Sequence, residues 1–106
     1  MAKRYKLVVF VPTQEADKIR SLLGELGAGH IGNYDYTSFS VKGVGRFRPL
    51  QGAKPAIGKV GNLEEVDEER IETVVDEDAL EYVMKSLEDA HPYEEPVIDI
   101  IELKDI

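Results

Sequence analysis

The chain has 106 residues, no cysteine and a formal net charge of −8 at pH 7. This length suits a single domain with a modest core, so residues 1–106 are predicted to form one domain. The lack of cysteine excludes disulfides, thiolate metal sites and cysteine nucleophiles, and it fits a cytoplasmic protein. An acidic chain without an apolar run of about 18 residues predicts neither a nucleic-acid partner nor a membrane-spanning helix.

The charge is divided unevenly along the chain. Residues 1–61 contain 10 Lys and Arg against 4 Asp and Glu, whereas residues 62–106 contain 3 against 17. A chain with this distribution can pair its two halves, within one molecule or between subunits. A solvated acidic face explains the same asymmetry equally well.

The first predicted elements are a strand and a helix. Residues 5–11 form a β-branched and aromatic run that stops at Pro12, which predicts a strand. Thr13 is expected to cap the helix that follows, and Gly27 and Gly29 are expected to end it. The apolar residues that recur there at helical spacing are Ala16, Ile19, Leu22, Leu23 and Leu26.

Three further strands and a second helix complete the predicted order. The second helix contains Leu80, Val83, Met84 and Leu87 at helical spacing, with Asp76 or Asp78 as its cap. The strands are predicted at residues 36–41, with an extension to Phe47 past the glycines at 43 and 45, at residues 71–75, entered as early as Val66, and at residues 97–103.

The order β-α-β-β-α-β predicts the ferredoxin-like fold, an α+β arrangement in which a four-stranded antiparallel sheet carries both helices on one face. Residues 7–11 and 97–101 are nearly continuous apolar runs, whereas a strand with one face in water should alternate. Both faces of the sheet are therefore expected to be covered. Because the helices occupy one face, a second subunit is the natural cover for the other, which predicts a homo-oligomer.

Two glycine-rich stretches contain candidate ligand-binding residues. In residues 27–36, the glycines would hold His30, Asn33 and Tyr34 near a tightly turned backbone, although a structural loop is the favoured interpretation. Residues 43–61 contain five glycines and no Asp or Glu, a composition that suits an anion. They match neither a Walker loop nor a dinucleotide turn, so anion or partner binding and a structural hairpin extension stay equally open. The basic residues of this stretch are Arg46, Arg48, Lys54 and Lys59.

A third stretch, His-Pro-Tyr-Glu-Glu-Pro at residues 91–96, precedes the last strand. Pro92 cannot continue a helix, so the second helix should end near His91, and a structural corner is the favoured interpretation. Alternatively, His91 and Glu94 would bind a divalent metal ion, the one cofactor that the residues suggest. Two ligands are too few, so the others would come from another segment or subunit.

Several short motifs occur together in one order and spacing. They include Gly-Ala-Gly-His-Ile-Gly-Asn-Tyr at 27–34, Phe-Arg-Pro at 47–49, Gly-Ala at 52–53, Ile-Gly at 57–58, Arg-Ile-Glu at 70–72 and the stretch at 91–96. In combination they resemble the domain inserted in the middle of bacterial proteins of the NGG-one-interacting-factor-three family, often labelled GTP cyclohydrolase I type 2 homologues. The resemblance implies a fold similar to the PII signalling proteins and the CutA divalent-cation-tolerance proteins, which are typically trimers.

In the long members of that family, the two-metal site is built from the halves that flank the inserted domain, so their hydrolase activity does not transfer to this chain. The sequence therefore predicts a small cytoplasmic homotrimer that binds a small ligand, an ion or a partner protein and is not an enzyme by itself. One alternative is a CutA-like metal-binding protein that uses His91 and Glu94. Another is an enzyme whose site combines His30, Tyr34 and Arg48 of one chain with His91 and Glu94 of a neighbour.

Overall fold

A computed structural model describes residues 3–104, which form one four-stranded antiparallel sheet and two helices. The strand order in the sheet is β2-β3-β1-β4, and the predicted ferredoxin-like fold is confirmed. Among residues 3–104, no helix is both long and apolar enough to cross a membrane. The elements are β1 (Arg4–Pro12), a 3-10 turn (Thr13–Glu15), α1 (Ala16–Glu25), β2 (Phe39–Phe47), β3 (Glu64–Asp76), α2 (Glu77–Ala90) and β4 (Ile98–Leu103).

The hydrophobic core lies between one face of the sheet and both helices. Side chains at alternate positions of a strand point to the same face, and β1 and β3 use that period to present their apolar residues to α1 and α2. Burying one such side chain fully contributes about 1.5–3 kcal/mol. The central core residues are Leu7, Val9, Val11, Ile19, Leu23, Ile71, Val75, Val83 and Leu87.

The ends of the helices differ in part from the prediction. Thr13 lies inside the 3-10 turn, and neither that turn nor α1 has a side-chain cap, so the predicted role of Thr13 is wrong. Asp76 does stand at the N-terminal cap of α2, but its side chain makes no capping hydrogen bond. The predicted stop after α1 is confirmed, because Gly27 adopts a left-handed φ of 95° and its N–H donates to the Gly24 carbonyl.

The boundaries of β2 and β3 also move. Tyr36 has a left-handed φ of 56°, which a strand cannot contain, so β2 begins at Phe39 instead of residue 36. It does continue past the two glycines to Phe47, as predicted. β3 begins at Glu64, earlier than Val66, because the whole acidic segment pairs with β2 in a register that sets Glu64 opposite Phe47.

The second face of the sheet, here called the open face, carries no helix. On it Val8 is 1% exposed, so β1 is covered on both sides within one chain. Three apolar side chains on this face are at least half exposed: Phe39 and Val41 of β2 and Ile101 of β4. In β4, the half-buried Ile98 and Ile100 alternate with exposed positions, so the two-sided cover predicted for this strand is absent from the single chain.

Candidate functional site

The predicted ligand-binding residues form two groups at opposite ends of β2. His30, Asn33 and Tyr34 are exposed in the loop before β2, and this loop is fixed to β3 by a hydrogen bond from the Gly29 N–H to the Val74 carbonyl. The second group stands at the far end of β2, a strand roughly 26 Å long at about 3.3 Å per residue. One chain therefore does not bring the two groups into a single site. The second group comprises Arg46, Arg48, Lys54 and Lys59.

A cleft of about 470 Å³ lies between residues 48–63, here called the hairpin, and residues 91–97, here called the corner. This volume is in the range typical of small-molecule sites. Arg46 and Arg48 line the cleft, whereas Lys54 and Lys59 do not. Its apolar walls include Phe10, Phe47, Pro55, Ile57, Tyr93 and Val97, and its acidic residues are Glu68, Glu94 and Glu95.

The corner ends α2 as predicted. The N–H of His91 donates to the Leu87 carbonyl, while the φ and ψ of His91, −70° and 136°, already belong to extended backbone. The imidazole is 6% exposed. Its Nδ1 accepts a hydrogen bond from the Tyr93 N–H at 3.1 Å. The proton then resides on Nε2, which donates to the Phe10 carbonyl at 2.7 Å. Both nitrogens thus join the corner to β1.

This arrangement bears directly on the metal prediction. A metal ion at His91 would have to displace one of the two hydrogen bonds, and Glu94 Oε1 already accepts a bond from the Lys54 N–H at 2.9 Å. Within residues 3–104, no group of three or more His, Asp or Glu side chains is placed to hold a metal ion. Metal binding at His91 and Glu94 stays a prediction, and it requires ligands from a second chain.

The inner end of the cleft is built around Tyr93 and Glu68. The Tyr93 hydroxyl donates to Glu68 Oε2 at 2.7 Å, and its ring centroid lies 5.1 Å from that of His91 and 6.0 Å from that of Phe47. Burial, and then the neighbouring Glu68 carboxylate, raise the pKa of Tyr93 well above its usual value, so Tyr93 stays a hydrogen-bond donor. An ideal Cβ at Gly45 would overlap Glu68 Oε1, so any other residue there would require the carboxylate to shift.

Sequence reasoning did not identify this set of residues. Glu68 belongs to an acidic segment with no apolar alternation, so nothing in the sequence indicated that it is buried. Phe10 and Phe47 were assigned to strands only. The available signal was Gly45, since glycine within a strand often marks the close approach of another group.

The uneven charge distribution allows ion pairs between the two halves of the chain. Four ion pairs join residues 1–61 to residues 62–106, so pairing of the halves within one molecule is confirmed. Arg48, Lys54 and Lys59 take part in none of the ion pairs found within residues 3–104. The four pairs are Lys3–Glu102 at 3.9 Å, Lys6–Glu72 at 3.7 Å, Arg20–Glu69 at 2.6 Å and Arg46–Glu65 at 3.5 Å.

Comparison with known proteins identifies the relatives of this domain. No family model matches the chain. It is 52% identical over 99 residues to a GTP cyclohydrolase 1 type 2 homolog of Halalkalibacterium halodurans, a match that covers 93% of this chain and 27% of the relative. A similar protein of Bacillus subtilis is 48% identical over 95 residues, covering 90% of this chain and 26% of the relative. The chain thus spans about a quarter of the length of the curated relatives it matches.

Solved structures show the same relationship. A Bacillus cereus protein related to NIF3 superposes with a TM-score of 0.85 at 42% identity, covering 98% of this chain and 26% of that protein. The periplasmic divalent cation tolerance protein CutA of Archaeoglobus fulgidus superposes with a TM-score of 0.68 at 17% identity, covering 96% of this chain and 85% of that protein, which shows a shared fold. The chain therefore shares the fold of CutA proteins and is homologous to a segment that makes up about a quarter of the NIF3-related GTP cyclohydrolase 1 type 2 homologs.

Proposed function

We propose that this chain is a cytoplasmic binding and regulatory domain that assembles as a homotrimer and holds its ligand in the cleft between the hairpin and the corner. The observation that carries the proposal is the cleft itself, in which a few polar groups converge between apolar walls. The proposal assigns no catalytic residue to the chain.

The open face supports self-association. Phe39 and Val41 on the edge strand β2, and Ile101 on the opposite edge strand β4, are apolar side chains that one chain leaves in water. Between them, on the central strands, Glu72 contacts both Lys6 and Arg70. Protein interfaces combine apolar and polar contacts of this kind. A second copy of the chain offers the same surface, as a symmetric assembly requires.

The basic residues near the cleft support an anionic ligand or an acidic partner surface. Arg48 lines the cleft and is exposed, and Lys54 and Lys59 are exposed on the adjoining hairpin. Arg46 forms an ion pair with Glu65, so its charge is less available to a ligand. His30, Asn33 and Tyr34 stand at the other end of β2, so they would reach a ligand in this cleft only from a neighbouring subunit.

The binding proposal is tested by calorimetric titration of nucleotides and inorganic phosphate at low salt into the wild type and an R48A/K59A double variant. We expect weak binding that falls as salt rises, because exposed charges are screened within about 10 Å at 0.1 M ionic strength. The double variant should lose it. A K85A/K104A variant, which removes two exposed lysines that do not line the cleft, is the control. Absence of binding to the whole panel would remove the small-anion form of the proposal, leaving an acidic protein surface to be sought by pull-down.

Metal binding is the second candidate, supported by the similarity of the fold to CutA proteins, which are named for divalent cation tolerance. Zinc and copper are titrated into the wild type and His91→Ala. We expect equal affinities, because both imidazole nitrogens are already bonded. Tight binding that His91→Ala alone abolishes, with the fold intact by circular dichroism, would establish the metal site instead.

A further inference from the structure

Glu68 and Glu69 are adjacent buried carboxylates with very different surroundings. Glu69, 6% exposed, pairs with the Arg20 guanidinium at 2.6 Å, and that guanidinium also donates to the Ser40 hydroxyl. Glu68 is 9% exposed and points to the opposite side of the sheet. Its Oε2 accepts from Tyr93, but no ion pair found within residues 3–104 includes Glu68, and its Oε1 accepts no hydrogen bond there and stays open to solvent. A buried carboxylate without a cation is costly.

Arg70, two positions along the same face of β3, is bonded elsewhere. Arg70 donates to Glu72 at 2.9 Å, and its guanidinium carbon lies 5.8 Å from the centroid of the Phe10 ring. Of the two buried carboxylates, Glu69 has a cation beside it, whereas no ion pair found within residues 3–104 includes Glu68. The glycine at 45 leaves space beside Oε1, where any side chain would collide with it.

Aromatic rings enclose the space in front of this carboxylate. Phe10, Phe47 and Tyr93 line the cleft together with Glu68. The faces of aromatic rings attract cations, and a carboxylate provides the opposite charge. An anionic group at this depth would meet a like charge, and a purely apolar group would leave the carboxylate unpaired. An organic cation with an apolar body satisfies both the rings and the carboxylate.

We propose that the inner end of the cleft binds a primary ammonium group carried on an apolar body, with Glu68 as the counter-charge and Phe10, Phe47 and Tyr93 as the walls. This inference rests on the proposed binding function and names the ligand class of the same cleft. The exposed Arg48 meets the outer part of the ligand, whereas the buried Glu68 selects the group that enters deepest.

The test compares three probes of nearly equal size by two-dimensional NMR titration: phenethylamine, which is cationic, phenethyl alcohol, which is neutral, and hydrocinnamate, which is anionic. We expect phenethylamine to shift amide resonances of residues lining the cleft and to bind about tenfold more tightly than the other two, since a hydrogen bond between charged groups is worth about that factor. In Glu68→Gln, which keeps an acceptor for Tyr93, phenethylamine should lose about tenfold in affinity. The control Glu81→Gln removes the same charge from an exposed residue of α2 that does not line the cleft and should bind as the wild type does.

Equal affinities of the amine and the alcohol in the wild type would overturn the inference, whether or not Glu68→Gln folds. Tighter binding of hydrocinnamate would also overturn it, while the proposed binding function would stand with an anionic ligand. If none of the probes shifts the cleft resonances, the small-molecule form of the binding function fails together with the inference. Equal loss of amine affinity in Glu68→Gln and Glu81→Gln would reduce the effect to net charge and overturn the assignment to Glu68.

Discussion

The two faces of the sheet are formed by the same four strands, but a single chain buries them to different extents. On the face that carries the helices, Leu7, Val9 and Ile71 have no exposed surface. On the open face, Phe39 is 65% exposed and Ile101 is 51% exposed. One chain thus buries its core by itself. Its open face leaves apolar surface in water, which a second molecule would cover. Folding should depend on the first face, and association and ligand binding on the second.

A charge placed on the helix-covered face should have the largest effect. Val9→Asp would bury an unpaired carboxylate in the centre of the core, where no basic side chain is available. We expect a loss of at least about 4 kcal/mol in the free energy of unfolding, enough to unfold many small domains. Urea denaturation followed by circular dichroism measures it. Wild-type stability of this variant would show that the core is assigned to the wrong face.

The same substitution on the open face should separate association from folding. Ile101→Asp adds a charge to a side chain that is half exposed in the single chain, so the monomer should stay folded while the proposed homotrimer dissociates. Light scattering at micromolar concentration should give the mass of one chain for the variant and three for the wild type. Tyr82→Asp at an exposed position of α2 is the control and should keep the wild-type mass. A monomeric wild type would refute the proposed assembly.

The contrast between the two faces also explains which elements could be predicted from the sequence. The helix-covered face obeys short-range rules, since apolar residues at strand and helix spacing identify β1, α1 and α2 with most of their core residues. The start of β3 was missed because its acidic residues at 64–69 are stabilised by pairing with β2, which is distant along the chain. The start of β2 was placed too early because Tyr36 favours a strand by composition while tertiary context holds it at positive φ.

The candidate site was harder to predict for the same reason. The basic residues of the stretch at 43–61 and the stretch at 91–96 were identified from composition and proline chemistry. These two stretches border one cleft because of contacts such as the hydrogen bond from the Lys54 N–H to Glu94. The two residues are 40 positions apart in the sequence. The burial of Glu68 depends on its hydrogen bond with Tyr93. This bond joins distant segments, and no local pattern encodes it.

A smaller effect is expected from adding one methyl group to the open face. In Gly45→Ala, the new Cβ would overlap the Glu68 carboxylate and force it from the Tyr93 hydroxyl. Overpacking of this kind costs about 1–3 kcal/mol. Gly43→Ala is the matched control in the same strand and on the same face, since nothing lies within 4 Å of a Cβ there. The two variants should differ in urea denaturation midpoint, and equal midpoints would show that Glu68 is free to move.

The smallest effect concerns the hydroxyl that contacts Glu68. Tyr93→Phe removes the donor of that hydrogen bond and should cost about 1–2 kcal/mol at neutral pH. Burial, then Glu68, raises the pKa of Tyr93 above its unfolded value of about 10. A group with a raised pKa contributes stability that is fully present below the unfolded value and is lost as pH rises above it. The stability difference between wild type and Tyr93→Phe should therefore stay constant from neutral pH to about pH 9 and shrink above about pH 10. Tyr34→Phe, at an exposed position, should show no such change, and a difference that stayed constant into the alkaline range would place Tyr93 in water, outside the closed end of the cleft.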